Sequence, residues 1–337
     1  MGKQKRLFSW FALFSIFLIL ILDVKCAISG VSGGIDLCLR TVIPAIFPFL
    51  ILSPLLLAQT PDLSLLHPVG TLLRIPKGSE SIMVSSFLCG YPVGAQMVSN
   101  SWKSGQLTTS DARRMLAFCN NAGPAFIFGI GGSLFSEKWA PWVLWLIHIL
   151  SALVVGVVLP GNSSHHSFQF NNKPTSFRKN LENSVVTMGY ICGWVILFRT
   201  IAAFLQRWIL WFFPKWAEIM IFGFLELSSG CTSAHSLNDP VARFLLLSAF
   251  FSFGGICVHM QTASVTSGLK ATIPYLTGKL LHCSFSILLS AIFLLFTHFT
   301  DASSLVPFIL AIDIPLLVIT IFTIRTKKGS FMQLCGV

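Results

Sequence analysis

Gly90-Tyr91-Pro92-Val93-Gly94 and then Asn120-Asn121-Ala122-Gly123-Pro124 interrupt apolar sequence at points where a helix would otherwise run on. The second half of the chain carries a comparable pair, Ser228-Ser229-Gly230-Cys231-Thr232-Ser233 and Phe253-Gly254-Gly255. Backbone unwound at membrane depth leaves N–H and C=O groups without partners, at a cost of several kcal/mol each in hydrocarbon. It persists only where it is buried in protein or lines a wet cavity. Paired interruptions in corresponding places of two halves point to the binding site of a secondary transporter. The expectation is a carrier with its site at the breaks.

Composition agrees with a membrane setting. The 337 residues are 54% hydrophobic and 10% charged, with 31 Phe and 9 Trp, against about 25% charged in a typical soluble domain. A net charge of +11 would suit nucleic acid if it formed one face, but the basic residues sit in short clusters between apolar runs. They read as topology signals, and no nucleic-acid partner is expected. Nine cysteines are scattered without a C-x-x-C pair or finger spacing. They read as buried thiols, and no metal or cofactor is expected.

Lys3, Lys5 and Arg6 precede an apolar run over 7 to 22, in the manner of a signal peptide, but Asp23-Val24-Lys25-Cys26 stands where a small-x-small cleavage site would follow. The segment reads as an uncleaved first span. Further crossings fall at 41 to 58, 109 to 136, 139 to 160, 181 to 206, 240 to 268, 276 to 297 and 303 to 324, with re-entrant hairpins at 80 to 104 and 210 to 237. The expected fold is therefore an all-α polytopic membrane protein with about 8 crossings and two hairpins. With the N-terminus in the cytoplasm, this layout puts 16 of the 23 basic residues inside, Lys270 and Lys279 among them, six outside, and Arg199 within a span. That asymmetry is what the positive-inside rule expects.

The same layout runs 41–160 and 181–297 in opposite directions, as inverted repeats joined by a cytoplasmic linker at 161–180. A span with an amphipathic lead-in (1–40) precedes them, and a last span with a basic tail (298–337) follows. The order of elements carries this repeat; residue identity between the units is weak.

The candidate substrate-binding residues are those at the breaks: Gly90, Tyr91, Pro92, Gly94, Asn120, Asn121, Gly123, Pro124, Ser228, Ser229, Gly230, Ser233, Gly254 and Gly255. A helix restarting after a break presents unpaired N–H groups and the positive end of its dipole, which suits an anion. Pro124 fits a first helical position, and Asn120 or Asn121 can cap it or face a solute. Gly90 and Gly94 also have the G-x-x-x-G spacing of close helix packing, and the serines can bond the freed backbone instead of a ligand. Glu226, beside the second hairpin's break, is the candidate ion-coupling residue. Arg199 and Asp313 are the other charges at depth, and a structural pair between them is the alternative to a functional role. The sequence has no H-E-x-x-H; His235 lies near Ser233 without a nucleophile elbow, and Gly129-Ile130-Gly131-Gly132 has no strand before it. No catalytic residue, and no enzyme activity, is expected. Asn162-Ser163-Ser164 matches a glycosylation acceptor but falls in the cytoplasmic linker of this layout.

The stretch Gly90-Tyr91-Pro92-Val93-Gly94-Ala95, the elbow through Ser104-Gly105-Gln106-Leu107 and Ala112-Arg113-Arg114, and Phe118-Cys119-Asn120-Asn121-Ala122-Gly123-Pro124-Ala125-Phe126-Ile127 resemble the YlbJ-type sporulation integral membrane proteins. Pro44-Ala45-Ile46-Phe47-Pro48-Phe49-Leu50-Ile51 is similar to the same family. The family belongs with the nucleoside recognition (Gate) proteins, which are similar in plan to concentrative nucleoside carriers and ferrous-iron transporters. The resemblance is sharp over 41 to 136 and general elsewhere. It implies a multi-pass protein of the outer forespore membrane that passes a small organic anion, dipicolinic acid, toward the spore. The partners expected are that anion and the lipid bilayer, and the plan is compatible with a homo-oligomer. Nucleoside or metal-ion carriage, or a non-transporting role in spore-envelope assembly, are the alternatives.

The charge bias places both termini and the loop around Lys173 in the cytoplasm. Phe170→Cys and Ser330→Cys should therefore be protected from an impermeant thiol reagent added outside, and labelling of position 170 would overturn the inverted arrangement.

Overall fold

The computed structural model describes residues 3–58, 63–161, 176–297 and 305–326, and it is built of helices, with no strand among those residues. Most of the linker at 161–180, the glycosylation match at Asn162, Lys173 and the basic tail with Lys327 and Lys328 lie outside the described residues.

The chain opens with α1 (Lys3–Leu22), α2 (Val24–Leu37) and α3 (Ile43–Ala58). A π-helical turn over Cys38–Val42 joins α2 to α3 without a break, so the helix expected at 41 to 58 starts at Val24. Pro44 offers no N–H, and its ring crowds the carbonyl one turn back; the wider π turn before it lets the rod continue. A short α4 (His67–Leu72) leads to a hairpin of α5 (Glu80–Cys89) and α6 (Val93–Lys103). Next come α7 (Thr109–Leu116), an unwound stretch at 117 to 123, and a helix formed by α8 (Pro124–Phe126), a π turn (Ile127–Gly131) and α9 (Gly132–Leu134). The first half ends with α10 (Ala140–Val158). The second half runs through α11 (Phe177–Trp208), the hairpin of α12 (Lys215–Leu225) and α13 (Leu227–Ala234), the interrupted pair α14 (Pro240–Phe253) and α15 (Gly255–Val265), then α16 (Thr272–Thr297) and α17 (Leu305–Thr326).

Six of these helical segments are long and apolar enough to cross a membrane: Val24–Leu52, Ala140–Val158, Phe177–Trp208, Pro240–Val265, Thr272–Thr297 and Ile309–Thr326. Arg6–Leu22 and Pro124–Leu134, within two segments read as crossings, are shorter. From Leu7 to Leu22 α1 is mostly apolar and exposed, Phe8 and Leu13 included, as a helix facing lipid would be.

Small residues set the closest helix contacts. A Cβ on Gly30 would lie 2.7 Å from the Thr200 Cα, and one on Gly34 would lie 2.7 Å from the Ile196 Cα. The G-x-x-x-G pair at 30 and 34 thus lets α2 lie antiparallel against α11 at backbone distance. The pairing is fastened at its end where Asp23, the N-cap of α2, accepts from Arg207 and Trp208. α16 packs against α7, α10, α14 and α17. It is held to α14 by Ser248, Ser286 and Ser290, whose hydroxyls bond one another at 2.8 Å.

Several arginines counted as topology signals also cap helix ends. Arg114 is buried and donates to the carbonyls of Gly156 (2.5 Å) and Leu159 (3.4 Å) at the C-terminus of α10. Arg243 donates to Leu134 O at 2.6 Å and to Leu237 O, at the end of α9 and just past the end of α13, while Arg113 donates to Leu269 O at 2.7 Å in the turn before α16. A chain cut into many short helices has many orphan carbonyls, and a guanidinium's fan of donors serves several at once.

Gly30→Ala or Gly34→Ala should cost about 1–3 kcal/mol through overpacking, seen as a lowered melting temperature of the detergent-solubilised protein. Gly193→Ala is the control, because a Cβ there meets nothing within 4 Å; it should leave the melt unchanged or raise it.

Candidate functional site

In the first half the two unwound loops touch each other. Gly90 has φ of +82°, in the left-handed region that favours glycine, and a Cβ on it would lie 2.8 Å from the Gly123 N. A Cβ on Gly123 would in turn lie 3.0 Å from the Gly90 Cα. Between Gly90 and α6 stand Tyr91 and Pro92, joined by a cis peptide bond. Gly94, in the first turn of α6, sits where a Cβ would be 2.0 Å from the Cys119 carbonyl oxygen.

The freed polar groups are met from several elements. Asn121 Nδ2 donates to Phe118 O at 2.7 Å, and the Ala122 N–H donates to His148 Nε2 at 3.0 Å. Asn120 Oδ1 accepts from the Ala95 N–H at 3.4 Å, while its Nδ2 donates to Thr262 Oγ1 (2.8 Å) and Tyr275 Oη (2.9 Å). Both asparagines are fully buried. Their amides repair the unwound backbone and tie it to α6, α15 and α16, as such groups must in a medium without water.

In the second half the break falls at Glu226, between α12 and α13, and Ser228, Ser229, Gly230 and Ser233 lie within helix α13. Glu226 caps that helix: its carboxylate accepts from Ser228 N (2.9 Å), Ser229 N (2.7 Å) and Ser229 Oγ (2.6 Å). The α13 N-terminus already holds the protein's own anion. Arg199 Nη1 donates to Ser229 Oγ at 3.1 Å, so it reaches Glu226 through that hydroxyl and makes no pair with Asp313. Asp313 is buried, with an Oδ2 that has no hydrogen-bond partner among the described residues. Gly230 serves packing, since a Cβ there would lie 2.0 Å from the Gly223 Cα.

All four breaks converge. Tyr91 Oη donates to Phe251 O at 2.6 Å, at the end of α14. A Cβ on Gly254 (φ +86°) would lie 3.1 Å from the Tyr91 Oη, and one on Gly255 would lie 3.2 Å from Leu227 N. Beside this junction is a small, partly open cavity of about 40 Å³, which is water-sized. Gly90, Tyr91 and Gly123 from one half line it with Glu226 and Ser228 from the other, closed in by α3, α11, and by Val258 and Gln261 of α15. A larger open vestibule of about 730 Å³ adjoins it, lined by Arg40, Ser133, Thr232 and His235 among others. Both spaces share Ala45, Ala125 and Phe126 as walls. Of the residues expected at the site, Gly90, Tyr91, Gly123, Ser228 and Glu226 line the cavity; Pro92, Gly94, Asn120, Asn121, Pro124, Ser229, Gly230, Ser233, Gly254 and Gly255 do not.

Sequence reasoning missed Lys279. Counted as cytoplasmic, it lies inside α16 and is fully buried. Gly278 brings it there: a Cβ on that residue would lie 2.3 Å from Ala117 O, so α16 presses directly on the unwound segment. The ammonium contacts Asn121 Oδ1 and His282 Nδ1, both at 3.4 Å, and lies 5.1 Å from the Tyr91 ring centre. His282 Nε2 donates to His148 O at 2.9 Å, which leaves Nδ1 as the acceptor facing the lysine. The available signal was position: Lys279 falls within the run 276 to 297 that the sequence itself marks as a span.

Comparison with known proteins finds a partial likeness. The chain is 27% identical over 135 residues, 37% of its own length, to the sporulation integral membrane protein YlbJ of Bacillus subtilis (strain 168). It matches 32% of that protein, about a third of its length. No family model and no solved structure matches. With six helices of spanning length and apolarity and this likeness to a sporulation membrane protein, the chain is a multi-pass integral membrane protein similar over part of its length to one that acts in sporulation.

Proposed function

We propose that this protein is a secondary carrier of a small organic anion, dipicolinate, toward the developing spore, working by alternating access around the junction of the four helix breaks. The observation that carries the proposal is that breaks from both halves of the chain meet at one small cavity beside a wider vestibule. A chain that needed only structural support would have no reason to cut its helices at the one place where they meet. In this reading 41–160 and 181–297 are inverted units, the crossings number eight, the termini face the cytoplasm and the membrane is the outer forespore membrane. The anion's identity rests on the resemblance to the sporulation family.

The cavity of about 40 Å³ is far below the roughly 300–1,000 Å³ of sites that enclose drug-sized ligands. The junction is thus constricted at its centre and wider at the vestibule, and loading requires the shared wall of Ala45, Ala125 and Phe126 to part. Arg40, paired with Asp36, and His235 stand in the vestibule wall and offer hydrogen-bond donors to an entering anion. Carriage of a nucleoside or a cation is the second reading, favoured by Glu226, Ser228 and Gln261 on the cavity wall, which offer hydrogen bonds and a carboxylate.

Uptake of labelled dipicolinate, uridine and ferrous iron into vesicles holding the purified protein decides between them. Dipicolinate should accumulate; uptake of uridine or iron alone would replace the anion reading, and flux of none would favour an assembly role. Glu226→Gln should remove the dependence of uptake on a proton or cation gradient while the protein stays folded. Unchanged coupling in that variant would leave Glu226 as a helix cap.

A further inference from the structure

We infer that Lys279 is the buried counter-charge of the transported anion, acting on the cavity through Tyr91 and the unwound segment at Asn121. The inference rests on the carrier reading and names the group that gives it anion selectivity.

The argument begins with charge balance. At the cavity, Glu226 is already matched by the α13 N-terminus and by Arg199 through Ser229. Lys279 has no such match: no carboxylate lies within ion-pair distance of it among the described residues. Its contacts are an amide oxygen and an imidazole nitrogen at 3.4 Å, and the faces of Tyr91 and Tyr275 at 5.1 and 6.0 Å. Cys119, Cys283, His148 and His259 are further ionisable neighbours, and Asp313 on α17 comes near Cys283 without pairing with the lysine. Two neutral acceptors at long range and two aromatic rings hold an ammonium in place but do not cancel its charge. An intramembrane lysine on these terms marks a substrate or ion pathway.

Geometry then supplies the route. Tyr91 meets both Lys279 and the cavity: the ammonium lies over its ring, and the residue lines the cavity. Tyr91 is fixed through its hydroxyl to Phe251 O at 2.6 Å. Asn121, the residue touching Lys279, lies two positions from cavity-lining Gly123. With Lys279 protonated, a carboxylate in the enlarged cavity would stand about 6–10 Å from a positive charge that no carboxylate of the described residues pairs. At an effective dielectric of about 20 and a separation of about 6–10 Å, that attraction favours a unit negative charge roughly ten- to a hundredfold over a neutral solute of the same shape.

The test measures binding of labelled dipicolinate and of its neutral isostere pyridine-2,6-dicarboxamide to the full-length protein and to Lys279→Gln and Asn121→Asp, with a melting curve for each. Asn121→Asp puts a carboxylate beside the ammonium and cancels its charge internally, so it tests the idea even if Lys279→Gln does not fold. Both variants should lose dipicolinate affinity tenfold or more while the diamide stays within about threefold. Wild-type dipicolinate affinity in either folded variant overturns the inference and leaves the carrier reading in place. Equal loss of both ligands also overturns it, because that is the mark of a structural pin. A wild-type protein that binds no dianion defeats the carrier reading, and the inference with it.

Discussion

Backbone polar groups released by a helix break inside a membrane must find partners within the protein or in a wet cavity, and the arrangement of the interior follows from supplying them. His148 accepts the N–H of Ala122, Asn121 covers the carbonyl of Phe118, and Tyr91 reaches across to Phe251. The last of these joins the two halves, as do the bonds from Asn120 to Thr262 and Tyr275, so the satisfied breaks are also ties between them. The energetic reason is the high cost of an unpaired backbone group in hydrocarbon against the modest net gain of a hydrogen bond in water. Four breaks placed separately would need four sets of partners; placed together, they share them.

Close approach is the second requirement, and glycine meets it. Gly90 against Gly123 and Gly230 against Gly223 bring backbone to backbone, with no room for a Cβ. These contacts leave little free volume at the junction, which is why its cavity is water-sized while the vestibule beside it is wide. A solute can reach the centre only if packed elements separate, and the apolar wall of Ala45, Ala125 and Phe126 is the part of the junction without the polar ties that fix the breaks.

Charge is used locally. Glu226 fills the helix end that would otherwise attract a foreign anion, and Arg199 approaches it through Ser229 rather than meeting Asp313. Arg114 and Arg243 close helix C-termini. The same residue type thus serves both topology and capping, because positive charge and multiple donors sit in one side chain.

Apolar runs, glycine and proline made the helical membrane character, the breaks near 90, 123 and 254, and the restart at Pro124 legible in the sequence, since periodicity and backbone preference are local properties. The G-x-x-x-G pair at 30 and 34 was legible too and passed unread, because it lay ahead of the run taken as the second span. Tertiary structure alone decided that the second hairpin breaks at Glu226, because the capping bonds that let Ser228 to Ser233 stay helical depend on where a carboxylate folds back. It alone placed Lys279 inside the protein, since a lysine near a span's end reads as interfacial until a neighbour such as Gly278 shows that the helix is pressed against another segment. Which buried charges lack a partner is a property of distance in space, and no spacing along the chain encodes it.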